Sequence, residues 1–407
     1  MLKFNQYIQN LTKEVYYLEE GSKEGKNTHL EHIDELVWNG GAGGIRSAIQ
    51  FLDSIVSSLS GGESKYGKSI ITTKFDGAPA VVAGINPENG KFFVGTKGVF
   101  ANKPKLNYTN ADIDHYHPGE GLNKKLKVAL KYFPSLNIKG ILQGDMMFTR
   151  EDLHATTING EPLITFQPNT IVYAVPTKSE LARQIKAAQV GVIWHTNYTG
   201  KTIADIRASF NVNVGQLTPS KTVWFRDASI IDATGAATFT AGEIKEIRGI
   251  YSRIGKTFNQ IDGKILNMIA NTPRYQIEIK AWNNIHIRQG IIISNTIDYV
   301  KGLIGHIKTK PYKNEMERKD LLNFIVTNQG SIKLMFDVQN LLNDAKLKII
   351  SKLQKIESIP TFLKTNDGFR VTAPEGFVAI NQEGGVTKLV DRLEFSRANF
   401  TAEKSWK

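Results

Sequence analysis

The chain has no cysteine among its 407 residues, which excludes a disulfide framework and thiolate metal sites. That absence fits a reducing compartment, and the cytoplasm is the expected location. Also missing is any apolar run long enough to span a bilayer, and the opening MLKFNQYIQNLTKEVYYLEE has no apolar signal core. No membrane partner is expected. Acidic residues are in deficit: 39 Asp and Glu stand against 51 Lys and Arg, a formal net charge of +12 that favours a polyanionic partner. No internal repeat or low-complexity tract is visible. With 41% hydrophobic residues the chain can bury a sizeable core and is expected to hold two or three domains.

What is present falls into four stretches. Residues 1–60 read as amphipathic helices, with Thr28 and Glu31 spaced as a capping box ahead of Leu36 and Trp38. Residues 61–235 are strand-rich, with helices near Leu122 to Tyr132 and Ser179 to Gln189 and a strand in VGVIWHTNYTG. From 236 to 365 apolar residues recur at three and four, as in IISNTIDYVKGLIGHI, and the pattern becomes helical throughout. Residues 366–407 return to strand in EGFVAI.

The most informative string is Lys74-Phe75-Asp76-Gly77 within ITTKFDGAPAVVAG, where a strand delivers a lysine just before an Asp-Gly turn. A lysine becomes a covalent nucleophile at neutral pH only when its environment lowers a pKa of about 10.4. Downstream, in order, come Thr96-Lys97-Gly98 after the strand KFFVG, Gly144-Asp145 in ILQGD, and Tyr173 in IVYAV. Glu375-Gly376 then opens EGFVAI, and Lys388 lies in GGVTKLVDRLEF.

Other strings are weaker. Gly62-Glu63-Ser64-Lys65-Tyr66-Gly67-Lys68-Ser69 spells a P-loop, but it follows a helical pattern and precedes a strand, the reverse of the order a P-loop needs. Asp112, Asp114, His115 and His117 read as a solvated loop in preference to a metal cluster. The glycine run from Asn39 to Gly44 reads as a break between helices, with Arg46 beyond it as a candidate phosphate ligand. Trp194 and His195 either line a site or serve the structure.

The ordered motifs resemble the covalent nucleotidyltransferase superfamily, the ATP-dependent RNA and DNA ligases and mRNA-capping enzymes. The resemblance covers roughly 65–200 and 366–397, and the HLEHIDELVWNGG segment is similar to large-phage members. It implies an α+β fold: an ATP-grasp-like domain of antiparallel sheets flanked by helices, with an N-terminal helical segment and an all-helical insertion between its two halves. By resemblance Lys74 takes AMP from ATP, Asp76 positions it, and Lys97 contacts phosphate or ribose. Asp145 stands where a glutamate is common, Tyr173 stacks on adenine, Glu375 with Asp145 holds Mg²⁺ or Mn²⁺, and Lys388 neutralises the α-phosphate. Only one lysine stands in the last motif, where ligases usually have two. The implied partners are nucleic-acid ends, RNA before DNA, because Lys388 comes close to the end of the sequence and leaves no room for the domain that DNA ligases carry there. The alternatives are a capping-type or other-acceptor transferase and a non-catalytic nucleic-acid-binding protein.

Overall fold

The computed structural model describes residues 19–20, 29–60, 69–158, 160–209, 212–228, 238–356, 359, 361–365, 368–371, 375–380 and 386–396. Antiparallel sheets flanked by helices make it an α+β protein, in agreement with the sequence pattern. After the ribbon of β1 (Glu19–Glu20) and β2 (His29–Leu30) come helices α1 (Leu36–Asn39) and α2 (Gly41–Leu59). Strands β3 (Ile70–Lys74), β4 (Ala80–Ile85) and β5 (Phe92–Gly95) follow, then helices α3 (Asn110–Tyr116) and α4 (Glu120–Tyr132). Next are β6 (Ile141–Thr149), β7 (His154–Ile158), β8 (Glu161–Phe166), β9 (Ile171–Pro176), helix α5 (Glu180–Ala187), β10 (Val190–Thr199), β11 (Arg207–Ser209) and β12 (Val223–Asp227). Helices α6 (Ala241–Phe258), α7 (Gly263–Ala270), α8 (Pro273–Gln289), α9 (Thr296–Thr309), α10 (Glu315–Thr327) and α11 (Gln329–Leu353) precede β13 (Thr361–Thr365), β14 (Gly368–Val371), β15 (Gly376–Ile380) and β16 (Val386–Leu389).

Three sheets matter for function. One runs β11-β10-β6-β4-β5 with β12 added parallel to β10, a second runs β14-β13-β9-β8-β7, and a small one runs β16-β15-β3. The small sheet joins strands from opposite ends of the sequence. Its register pairs Lys74 with Gly376, and Thr72 with Val378, which in turn faces Lys388. Because side chains alternate across a strand, Thr72, Lys74, Val378 and Lys388 share one face. Ile71, Phe377, Ala379 and Leu389 occupy the other face and are buried.

That apolar face packs against the helices. Ile45, Leu52 and Ile55 of α2, Ile250 and Ile254 of α6, and Phe336, Leu342 and Ile349 of α11 belong to the same continuous core as Ile71 and Phe377. The stretches 1–60 and 236–365, expected as separate units, therefore share one core through their helices. Each fully buried Leu, Ile or Phe contributes about 1.5–3 kcal/mol relative to exposure. Between α1 and α2 the glycine run has a packing reason: a Cβ at Gly44 would lie 2.0 Å from the Leu36 carbonyl oxygen, so the two helices approach too closely for any side chain. Arg46 lies over the Phe258 ring, 5.9 Å from its centroid.

Several local expectations change. No side chain caps the turn that opens at Ile33, and Thr28 lies outside the described residues. Glu31 is extended there instead; its carbonyl accepts from Lys388 N at 3.1 Å, and its carboxylate meets Lys280 at 3.2 Å. Glu31 and His32 are thus the start of a strap laid along β16, and the helical turn begins only at Ile33, where Ile33–Glu35 form a 3-10 turn leading into α1. Residues Asp112 to Tyr116 are helical because Thr109 caps them, its side chain accepting from Asp112 N. The Asp112 carboxylate accepts from Thr109 N at 2.8 Å, and Asp114 accepts from Asn123. Among the described residues no group of three or more His, Asp or Glu side chains is arranged to hold a metal ion. Of the P-loop string only Ser69 is described; α2 ends before it and β3 begins after it, which leaves no helix to receive phosphates.

Candidate active site

Between the small sheet and the six-stranded sheet lies a cleft of about 780 Å³, counted with its solvent-filled mouth. Thr72, Lys74 and Val378 of the small sheet and Gln143, Asp145, His195 and Tyr198 of the six-stranded sheet line it, together with Phe75 and Lys97. The lining follows from register. Gln143 and Asp145 are two apart on β6 and share a face, while a bulge between Trp194 and Thr196 turns both His195 and Thr196 toward the cleft.

Lys74 Nζ is in direct ionic contact with Glu375 Oε1. Burial alone would lower the Lys74 ammonium, but the Glu375, Asp145 and Asp76 carboxylates together hold it above its ordinary range. Burial lifts the Glu375 carboxyl to about 7, against the pull of Lys74. Lys388, on the shared sheet face, is lowered by burial and by repulsion from Lys74. Asp145 acts electrostatically on both Lys74 and Glu375, and its Oδ2 stands 3.7 Å from His195 Nε2. Lys97 is exposed at the mouth, where it can meet an anion from solvent.

The glycine after Asp76 has a structural reason. A Cβ at Gly77 would stand 2.4 Å from the Asp145 Cβ, so only glycine lets the turn pass over β6. Asp76 itself is 3% exposed, and its carboxylate accepts from Thr170 N at 2.7 Å, Ile171 N at 2.8 Å and Asn169 Nδ2 at 2.7 Å. It positions Lys74 indirectly, by locking the turn after Lys74 to the start of β9.

Tyr173 does not take the place expected of it. Its ring is 2% exposed and stacks on Phe166 with centroids 5.4 Å apart, while the Phe75 ring is 6.1 Å away. Its hydroxyl accepts from Asp76 N at 2.7 Å, making it a second anchor of the same turn. The aromatic side chains that line the cleft are Phe75, His195 and Tyr198. Tyr198 donates to Gln143 at 2.7 Å, and burial pushes its phenol up. Trp194 faces the opposite way, fully buried against Phe133. Period two was the signal that locates Gln143 and Thr72 from Asp145 and Lys74; the placing of Phe75 and Tyr198 depends on how sheets meet.

The cleft thus brings Lys74, Lys97 and Asp145 together between the two sheets, with Glu375 paired to Lys74. The chain belongs to a protein family of unknown function, DUF6267, which matches residues 27–404. No curated protein and no solved structure matches it. Among the described residues no helix is long and apolar enough to cross a membrane.

Proposed function

We propose that this protein is an ATP-dependent adenylyltransferase of the polynucleotide-ligase kind, with Lys74 as the carrier of AMP and RNA ends favoured over DNA ends. One observation supports the reading: Lys74, which lines the cleft together with Asp145, forms an ion pair with Glu375 from the other end of the sequence. Lys388 shares their sheet face.

Glu375 and Asp145 suit Mg²⁺ or Mn²⁺, which binds one or two carboxylates and completes its shell with phosphate oxygens and water. When bound, the metal neutralises phosphate charge. The Glu375 carboxylate that would hold the metal is the one now paired with Lys74, so engagement there would leave Nζ without its ion pair. Lys74 Nζ, having passed a proton to solvent water, attacks the α-phosphorus of ATP in line; the P–N bond forms as the P–O bond to pyrophosphate breaks and the pair of electrons leaves on pyrophosphate. Lys388 and Lys97 balance the developing negative charge. A 5′-phosphate oxygen then displaces Lys74 from AMP, and a 3′-hydroxyl displaces AMP to leave a phosphodiester. Phe75 and Tyr198 give the base its aromatic neighbours.

A groove along α4 suits the polynucleotide. Lys124, Lys125, Lys127, Lys131 and Arg150 line it, and Lys125 Nζ donates to the Ala78 carbonyl beside the nucleophile turn at 3.2 Å. Incubation with Mg²⁺ and α-labelled ATP or GTP, followed by a denaturing gel and intact mass, tests the reading. An AMP adduct that disappears in Lys74→Ala is expected. A GMP adduct would move the assignment to capping chemistry, and no adduct from folded, unadenylylated protein would overturn it in favour of nucleic-acid binding alone.

A further inference from the structure

The strap Glu31 to Glu35 brings a histidine to the edge of the cleft sheet. His32 bridges to Lys388 in parallel register, held by Lys388 N donating to the Glu31 carbonyl at 3.1 Å and by Thr387 Oγ1 donating to the same oxygen at 3.1 Å. Glu31 turns to the helical side, where it meets Lys280, so His32 falls on the face that carries Lys388 and Lys74. Burial, followed by the positive charges of Arg392, Lys388, Lys346 and Lys74, holds its imidazole well below its ordinary range.

Most of that positive charge is matched. Lys74 pairs with Glu375, Lys346 with Asp34 at 2.7 Å, and Arg392 with Glu35. Lys388 makes no ion pair or side-chain hydrogen bond among the described residues, and Glu35 and Glu375 reach it only as more distant charges. Two further polar atoms at this junction are sealed from solvent with no partner: His32 Nδ1 and Arg392 Nε. Buried polar atoms are nearly always satisfied, and each orphan is costly. An unmatched cation beside two orphaned nitrogens is the environment of a missing anion.

We propose that His32 and Arg392, with Lys388 shared between this site and the α-phosphate, form a second phosphate subsite beside the AMP-carrying lysine, one that binds a phosphoryl group other than the α-phosphate. It rests on the adenylyltransferase reading for its role, though not for its existence. Two sources share that chemistry: the pyrophosphate that departs when Lys74 is charged, and the 5′-phosphate of the polynucleotide that receives AMP. Arg392 Nη1 and Nη2 are engaged by Glu35 and Asn284, which fixes the guanidinium and leaves Nε as its open donor. The strap would then couple the helical part to the chemistry, since Glu31, Asp34 and Glu35 tie the segment carrying His32 to Lys280, Lys346 and Arg392.

The test measures binding of inorganic pyrophosphate to the full-length protein without nucleotide, by calorimetry, in wild type and His32→Gln. The expected result is roughly tenfold weaker binding in the variant, the loss of one charge-assisted hydrogen bond. A 5′-phosphorylated oligonucleotide compared with its 5′-hydroxyl form, in both proteins, assigns the source: a His32-dependent preference for the phosphorylated end marks the polynucleotide, and its absence beside a pyrophosphate effect marks the nucleotide. Should His32→Gln fail to fold, acylation of His32 by diethyl pyrocarbonate in wild type, read by mass spectrometry, takes its place; protection by pyrophosphate or by the phosphorylated end is expected. Equal affinities for both ligands in wild type and variant, or no protection, overturn the subsite. Adenylylation of Lys74 is scored separately, so a normal adduct with unchanged phosphate binding removes the subsite alone. His32-dependent binding without any adduct keeps the subsite and removes the enzyme.

Discussion

Individual residues in this cleft divide by whether they face the space or hold its walls, and the division was only partly legible in the sequence. Lys74, Asp145 and Glu375 are polar positions in or beside strands, where no core role competes, and the structure places them together. Tyr173 sits in IVYAV, a strand buried on both faces, so no alternation marks which way an aromatic points. Asp76 was legible as important but not as a lock, because its partners Asn169 to Ile171 are remote in sequence. Asp76→Ala removes the carboxylate that accepts from the Thr170 and Ile171 backbone N–H groups, and a loss of about 2–4 kcal/mol is expected from urea unfolding. Fully native stability with abolished adenylylation would instead make Asp76 a direct participant. Glu375→Gln should reduce adduct formation at millimolar Mg²⁺ by about two orders of magnitude or more, with the fold intact by circular dichroism. An adduct formed at the wild-type rate would take the carboxylate out of the site.

At the scale of elements, strands and helices with strong periodicity emerge near their expected limits: Glu120–Tyr132 and Val190–Thr199 follow directly from apolar spacing. The strap does not, because HLEHIDEL satisfies helical spacing while its first residues extend to pair with β16, a partner hundreds of positions away. Its energetics are unusual. Lys346 is fully buried and its ammonium meets Asp34, also buried, so removing either partner strands a charge inside the helical core. Lys346→Met should cost about 3–5 kcal/mol, whereas Asp34→Leu with Lys346→Met should return most of it or more. The pH dependence has a definite sign. Burial raises the Asp34 carboxyl, Lys346 and Arg392 more than offset it, and the folded pKa lies below the ordinary 3.8. A depressed carboxylate contributes stability that is complete above that ordinary value and lost as pH falls through the folded one. Thermal melts should therefore lose this contribution below about pH 4 in wild type and not in the double variant. A double variant with the same acid profile would place the acid-sensitive group elsewhere.

For the whole molecule, the decisive fact is that the helices from both sequence stretches share one core with the back of the sheet whose front carries Lys74 and Lys388. An insertion read from sequence alone looks removable, because helical periodicity reports which face is buried but not what covers it. Here α6 and α11 share one core with Ile71, Phe377 and Leu389, so deleting residues 241–356 opens that core and strips α2 of its neighbours. Loss of cooperative unfolding and of near-ultraviolet dichroism is expected, beyond any loss of polynucleotide affinity. A soluble deletion variant that still charges Lys74 would show the helices to be an accessory. The polynucleotide itself is expected along α4, where lysines line the groove beside Ala78. Lys124 and Lys127 there already pair with Glu120 and Asp114, but exposed pairs are weak and yield readily to phosphate. Replacing Lys124, Lys127 and Lys131 by Gln should weaken binding of a single-stranded oligonucleotide and flatten the slope of log affinity against log salt. The slope should fall by about 0.7 for each phosphate that the protein ceases to neutralise, with adenylylation of Lys74 by ATP unaltered. An unchanged salt slope would move the polynucleotide off this groove while leaving the charging chemistry in place.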